Sequence, residues 1–229
     1  MEISPDNFIY WQWHGVKLNA TIAVTWLNMV LLVLGAHLVT RKLRRDGRLS
    51  RGQNMLEVLV AGMEQHIGDM GLKPPRDFLP FLGTLFIFVL CANILAVIPG
   101  YRAPTGSLST TTALAICVFI AVPLWGISRR GLGGYLRMYV KPSVFMLPFN
   151  VLGELSRTLA LAVRLFGNIM SGAMIGGILL SVAPLIFPVV MQLLGLITGV
   201  IQAYIFALLA AVYIAAAVQL EQERERGGG

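Results

Sequence analysis

Two mostly apolar segments close the chain, 147–183 and 185–220. Each holds about 36 residues, or about 54 Å of helix at 1.5 Å per residue, against a hydrocarbon core of about 30 Å. Upright helices of that length overshoot a bilayer, and ordinary tilts of about 20° do not absorb the excess. The pair must therefore be steeply inclined, lie partly along the interface, or break at its glycines. With 56% of residues hydrophobic and 13% charged, the remainder offers no soluble core to hide such segments, so the chain reads as a polytopic membrane protein. The formal net charge of +7 does not point to a nucleic-acid partner, because the basic residues cluster between apolar runs, where topology accounts for them.

The expected fold is all-α, with five transmembrane helices, a surface amphipathic helix and a long inclined C-terminal helical hairpin in one membrane domain. Residues 1–19 are polar and aromatic, lack a basic region followed by an apolar core, and are expected outside the membrane without a cleaved signal peptide. Span 1, 20–40, ends in Arg41, Lys42, Arg44, Arg45, Arg48 and Arg51, a cytoplasmic flank. Over 52–72, Leu56, Leu59, Val60, Met63, Ile67 and Met70 recur at helical period opposite Glu64 and Gln65. Asn54 and Glu57 have capping-box spacing, and Pro74-Pro75 is expected to end this surface helix.

Span 2 covers 78–98 and closes at Pro99-Gly100, with Arg102 the only charge before span 3 at 108–127. Arg129, Arg130, Arg137 and Lys141 then mark the cytoplasmic side again, and Pro123 predicts a kink. This order puts the N-terminus outside and the tail, 221–229, in the cytoplasm. Cys91 and Cys117 lie inside apolar runs without metal-ligand spacing and are expected to pack as small hydrophobes.

Arg164 stands inside the first long segment. It is a cytoplasmic flanking charge if the span begins at Leu165, or an intramembrane charge if the segment is steeply inclined. A charge at the bilayer centre costs about 2.5–3.5 kcal/mol on insertion scales, so an arginine there has a partner or a task. Glu154, Arg157, Leu161, Arg164, Asn168, Ser171 and Gly172 follow spacings of three and four and share one helical face. Gln192, Gly195, Gly199 and Gln202 form a similar stripe on the second segment. Folding the hairpin at Pro184 brings Arg164 roughly level with Gln202 and Tyr204. For the glycines, ordinary helix packing is the simpler reading.

No phosphate-cradling loop, paired metal ligands or nucleophile–base arrangement appears in the sequence, so a self-contained enzyme is not expected, nor a metal or cofactor. Arg164-Leu-Phe-Gly-Asn168, preceded by Leu147-Pro148-x-Asn150, resembles the signature of subunit a of the F-type rotary ATP synthase, nearest to chloroplast and cyanobacterial forms. Gly52-Gln53-Asn54, Phe81-Leu82-Gly83-Thr84, Ala103-Pro104-Thr105, Gly131-Leu132-Gly133, Leu194-Gly195-Leu196, Ile201-Gln202-Ala203 and Ala210-x-x-Tyr213-Ile214 add to it, covering roughly 52–214.

The resemblance implies a stator subunit with two offset half-channels that carry protons or sodium ions to and from carboxylates of a rotating c-ring, with ATP chemistry on other subunits. Arg164, Gln202 and Asn168 would serve ion translocation, with Glu154, Ser171, Gln192, Thr198 and Tyr204 as half-channel candidates. The c-ring, the peripheral-stalk b subunits and lipid are the implied partners. The implied location is the inner membrane of a bacterium rather than an organelle. Some relatives carry an acidic residue where this chain has Ala173, or a histidine at the position of Gly195, and chloroplast-like ones have Gly-Glu at Ala215-Ala216. The ion-access route and the ion therefore stay open. A secondary transporter or a membrane scaffold without rotary coupling are the competing classes; the first expects an internal repeat, which the sequence does not show.

Overall fold

The computed structural model describes residues 9–13, 16–41, 51–98, 101, 103–140, 145–182 and 187–219. The expectations placed on 42–50, Pro99-Gly100, Arg102, Lys141, the turn at Pro184 and the tail 221–229 lie outside them. The described chain opens with a two-stranded antiparallel hairpin, β1 (Ile9–Trp13) and β2 (Val16–Asn19), which the sequence reading did not foresee. Its first strand, Ile-Tyr-Trp-Gln-Trp, is rich in the aromatic and β-branched types that favour strands. Every other regular element is helical: α1 (Ala20–Thr40), α2 (Arg51–Asp69), α3 (Pro75–Leu95), a 3-10 turn (Pro104–Gly106), α4 (Leu108–Val140), α5 (Met146–Val182) and α6 (Phe187–Gln219). Five of these, all but α2 and the 3-10 turn, are long and apolar enough to cross a membrane, which makes the chain an all-α multi-pass protein apart from its small hairpin.

Two local expectations are corrected. Asn54 does not cap α2, because the helix has already begun at Arg51, so the spacing with Glu57 falls inside the helix. Nor does the double proline end it. Gly71 adopts a left-handed φ of 79°, Leu72 N–H donates to Ile67 O (3.3 Å) and Gly71 N–H to Gly68 O (2.9 Å), the paired bonds of a Schellman cap. Buried Ile67 and Leu72 supply the apolar contact that accompanies such a cap. Pro74 and Pro75 instead open α3, where a missing N–H costs nothing. In α4 the backbone leaves helical geometry at Gly131 (φ 72°), eight residues beyond Pro123. Beyond that bend Tyr135 folds back onto Gly126, so closely that a Cβ there would lie 2.6 Å from the ring.

The core is built around α3 and α6. On α3, Phe78, Leu82, Leu85, Val89 and Ala92 recur every three or four residues and are buried. They face the small-residue side of α6, where Ala203, Ala207, Ala210 and Ala211 let the backbones approach; in lipid such packing, rather than a hydrophobic force, holds helices together. Val118 and Val122 of α4 and Leu161, Ala162 and Leu165 of α5 complete the cluster. Half of the apolar window of α6 is buried, but only 17% of that of α5 and 11% of that of α1, so one side of α5 is left for something outside the chain.

At the α2–α3 corner Arg76 pairs with Glu64 at 3.0 Å, an exposed ion pair of little energetic weight. Arg129, at the far end of span 3, pairs with Asp77 and lies 5.8 Å from the centre of the Phe78 ring, tying the first turn of α3 to α4 where its apolar run ends.

Candidate functional site

Both long helices run unbroken past their glycines, which removes the third of the options their length allowed. At 1.5 Å per residue α5 is still about 55 Å long, so it must be inclined or run out along an interface. Arg164 stands at its midpoint and Gln202 within one residue of the midpoint of α6. In an inclined helix that position falls within the membrane, and in one that runs out along the interface it falls at the membrane edge.

Helical phase then decides what Arg164 faces. Leu161 and Leu165 are 1% and 0% exposed and point into the bundle, while Val163 is 54% exposed and points out. Arg164 lies on the exposed side of that boundary and, among the described residues, has no hydrogen-bond or ion-pair partner. Its neighbours on the helix surface are exposed Ala160 and Val163 and half-buried Asn168. Added Cβ atoms at Gly167, Gly172 and Gly176 would meet nothing within 4 Å, so the glycines of α5 are not explained by packing within the chain. What this face presents is a mostly apolar surface with a permanent positive charge and five N–H donors at the midpoint of α5.

The relative register of the two helices follows from Arg157, whose guanidinium carbon lies 5.8 Å from the centre of the Tyr213 ring. A residue near the start of α5 thus meets one near the end of α6, an antiparallel arrangement. Counting seven residues onward from Arg157 and seven back from Tyr213 puts Arg164 level with about residue 206, one turn from Gln202. Gln202 is 7% exposed, and its Nε2 has no hydrogen-bond partner among the described residues. A buried amide donor one turn from an unpaired guanidinium is an open polar position in an otherwise apolar bundle.

The remaining candidates divide. Asn168 is half-buried on the Arg164 side of α5, with the Ser171 hydroxyl donating to its backbone carbonyl at 3.2 Å. Glu154 is half-buried one turn before Arg157, its carbonyl accepting from Thr158 Oγ1 at 3.0 Å. Gln192 donates from Nε2 to Val97 O at 3.2 Å, joining the start of α6 to the end of α3. Thr198 turns its hydroxyl back onto Leu194 O (2.9 Å) and Gly195 O (3.1 Å). Tyr204 is level with the site but faces another way: its ring stands edge-on to His66 of α2, centroids 5.8 Å apart, beside an apolar pocket lined by Met63, Met70, Phe86 and Ala211. It does not join Arg164 and Gln202.

Sequence reasoning missed one cluster. Asn93 of α3 is buried, donates from Nδ2 to Gly199 O at 2.8 Å, and accepts at Oδ1 from Thr105 Oγ1 at 2.7 Å. The available signal was a lone amide inside the apolar run of span 2. Nearby, between α3 and the 3-10 turn, burial and then the Cys91 thiol push the Tyr101 phenol above its ordinary value, so it stays protonated throughout the physiological range.

A family model described as ATP synthase A chain matches residues 22–215, most of the chain. ATP synthase subunit a 2 of Acaryochloris marina is 60% identical over 222 residues, covering 97% of this chain and 95% of that protein. ATP synthase subunit a of Albidiferax ferrireducens is 59% identical over 228 residues, 100% of this chain and 99% of the relative. The cyanobacterial ATP synthase subunit a 2 of Picosynechococcus is 57% identical over 225 residues, 98% and 97% of the two chains. With a matched family model over most of its length and relatives alike from end to end, this chain belongs to the ATP synthase subunit a family.

Proposed function

We infer that the chain is the stator subunit of a rotary ATP synthase or ATPase, and that its exposed α5–α6 face carries ions to and from carboxylates on a rotating c-ring. The observation that carries this is Arg164, unpaired among the described residues, at the middle of α5 on an apolar face that the chain itself leaves uncovered. A ring helix bearing a carboxylate supplies what that face lacks: apolar surface for α5 and α6 and an anion for the guanidinium. The glycines of α5 let it approach closely.

The ion loads and unloads by two half-channels, one on each side of Arg164. Toward the start of α5 lies Glu154; toward its end lie Asn168 and Ser171, with Gln192 and Thr198 on α6. A carboxylate arriving without its ion is attracted to Arg164 and released when the next ion neutralises it. Because guanidinium holds its proton, it also stops ions from passing straight from one half-channel to the other. Gln202, one helical turn away, supplies an amide beside this exchange: its Oε1 is the group able to accept from the guanidinium, and its unpartnered Nε2 the group able to donate to an arriving carboxylate. The chain itself performs no ATP chemistry. The basic flanks 41–51 and 129–141 support an N-terminus outside and a tail inside, in this reading across a bacterial inner membrane, with b subunits of the peripheral stalk as further partners.

Purification in mild detergent tests the assignment. The chain is expected to elute with a ring of small hairpin subunits, and recovery as a lone chain that still moves a solute would give the role to a secondary transporter. Reconstituted vesicles identify the ion. The outer-half groups named above are neutral amides and hydroxyls, which hold water or a partly hydrated cation, so the ring carboxylate selects. ATP-driven sodium uptake that survives a protonophore means sodium; acidification independent of added sodium means protons.

A further inference from the structure

Three elements meet at Asn93, and the two long helices meet through them. From the 3-10 turn, Thr105 donates its hydroxyl proton to Asn93 Oδ1 at 2.7 Å, which fixes the amide so that Nδ2 points to α6. Nδ2 then donates to Gly199 O at 2.8 Å. Asn93 is 2% exposed and Thr105 0%, so no water competes for these bonds. A Cβ on Gly199 would lie 2.9 Å from Asn93 Cβ, so α3 and α6 touch here as closely as glycine alone allows. The neighbouring residue of the same turn, Gly106, packs on α5, where an added Cβ would meet Ile169 Cγ2 at 3.2 Å.

The turn is thus a strut with one end against Ile169, five residues from Arg164, and the other, through Asn93, on Gly199, one helical turn from Gln202. Packing between apolar helices in lipid resists sliding and rotation weakly, whereas a buried hydrogen bond to a particular carbonyl specifies both. We propose that Thr105 and Asn93 are positioning residues that hold α6 in rotation and height against α5, and so set the spacing of Gln202 from Arg164. The proposal rests on the ion-translocating role inferred above. Neither residue touches the ion; both act through the helix that carries Gln202.

Thr105→Val keeps shape and volume but loses the donor, leaving Asn93 Oδ1 buried without a partner and its amide free to turn away from Gly199. The expected result is an assembled complex that still hydrolyses ATP but moves about tenfold fewer ions per ATP in vesicles, with a raised passive ion leak. Thr105→Ser, which restores the hydroxyl, should lie within about twofold of the unaltered complex. The proposal is overturned by ion movement per ATP unchanged in Thr105→Val, or by loss of assembly in Thr105→Val while Thr105→Ser assembles, which would make the strut a folding element only. Equal loss in both variants contradicts it too, since the hydroxyl would then not be the group that matters. A failure of the underlying reading looks different: the unaltered complex would not couple ATP hydrolysis to ion movement at all.

Discussion

Arg164→Ala is expected to abolish ion transport coupled to ATP hydrolysis, with a loss on the order of a hundredfold or more, while the complex still assembles. Assembly should persist because Arg164 lies outside the packed cluster of Leu161, Ala162 and Leu165, so its removal leaves no cavity. Vesicles carrying this variant should also leak ions passively, since the charge separating the half-channels is gone. Arg164→Lys retains a positive charge but presents a flexible ammonium that loses its proton more readily when desolvated, so it should fall between the two. Arg157→Ala should be milder than either, because Arg157 already has the Tyr213 ring as its partner near the start of α5. ATP-driven ion uptake measured side by side in reconstituted vesicles ranks the four proteins.

The second large effect leaves Arg164 in place and takes away its availability. Ala160 is exposed one turn before Arg164 on α5, and a glutamate four residues N-terminal to an arginine is the favourable orientation for a helical ion pair. At 4 Å and an effective dielectric of about 20 such a pair is worth about 4 kcal/mol, against a few tenths on a helix in water. Ala160→Glu should therefore hold the guanidinium against a fixed carboxylate and lower coupled transport by about tenfold or more, although every native functional group is still present. Ala160→Gln has the same size without the charge and should stay within about twofold of the unaltered protein. Equal loss in both would mean that bulk on this face, rather than capture of the charge, is what transport cannot tolerate.

The parts of this molecule that were legible in its sequence are those that depend on one helix at a time. Apolar run lengths give the spans, and the length of α5 and α6 carries Arg164 to mid-helix. Where two segments must be placed against each other, the sequence is less informative. The height of Tyr204 relative to Arg164 followed from counting along the hairpin, but its direction depends on how α6 is rotated against α2, and it turns to His66. Gly199 looked like one of several small residues on a stripe. It is special because Asn93, 106 positions away, donates to its carbonyl, while a Cβ added at Gly195 on the same stripe would meet nothing within 4 Å. Local punctuation misled in a different way. Pro74-Pro75 is the conspicuous pair, yet α2 ends at Gly71, whose positive φ glycine adopts without the steric cost of a side chain. Asn54 and Glu57 have the spacing of a helix cap, but a spacing cannot show that the helix began a turn earlier.

The central claim, that the face around Arg164 receives the ring carboxylate, is tested most directly by cross-linking. In a background with Cys91→Ser and Cys117→Ser, Val163→Cys is combined with a cysteine placed beside the c-subunit carboxylate, and the membranes are oxidised. Val163 adjoins Arg164 and is 54% exposed, so a disulfide between the two subunits is predicted, and ATP-driven rotation before oxidation should spread it over several ring subunits. Leu124→Cys on α4, equally accessible at 62% exposure, should give none. Adducts from position 124 with none from 163 would place the ring on another side of the bundle and contradict the account.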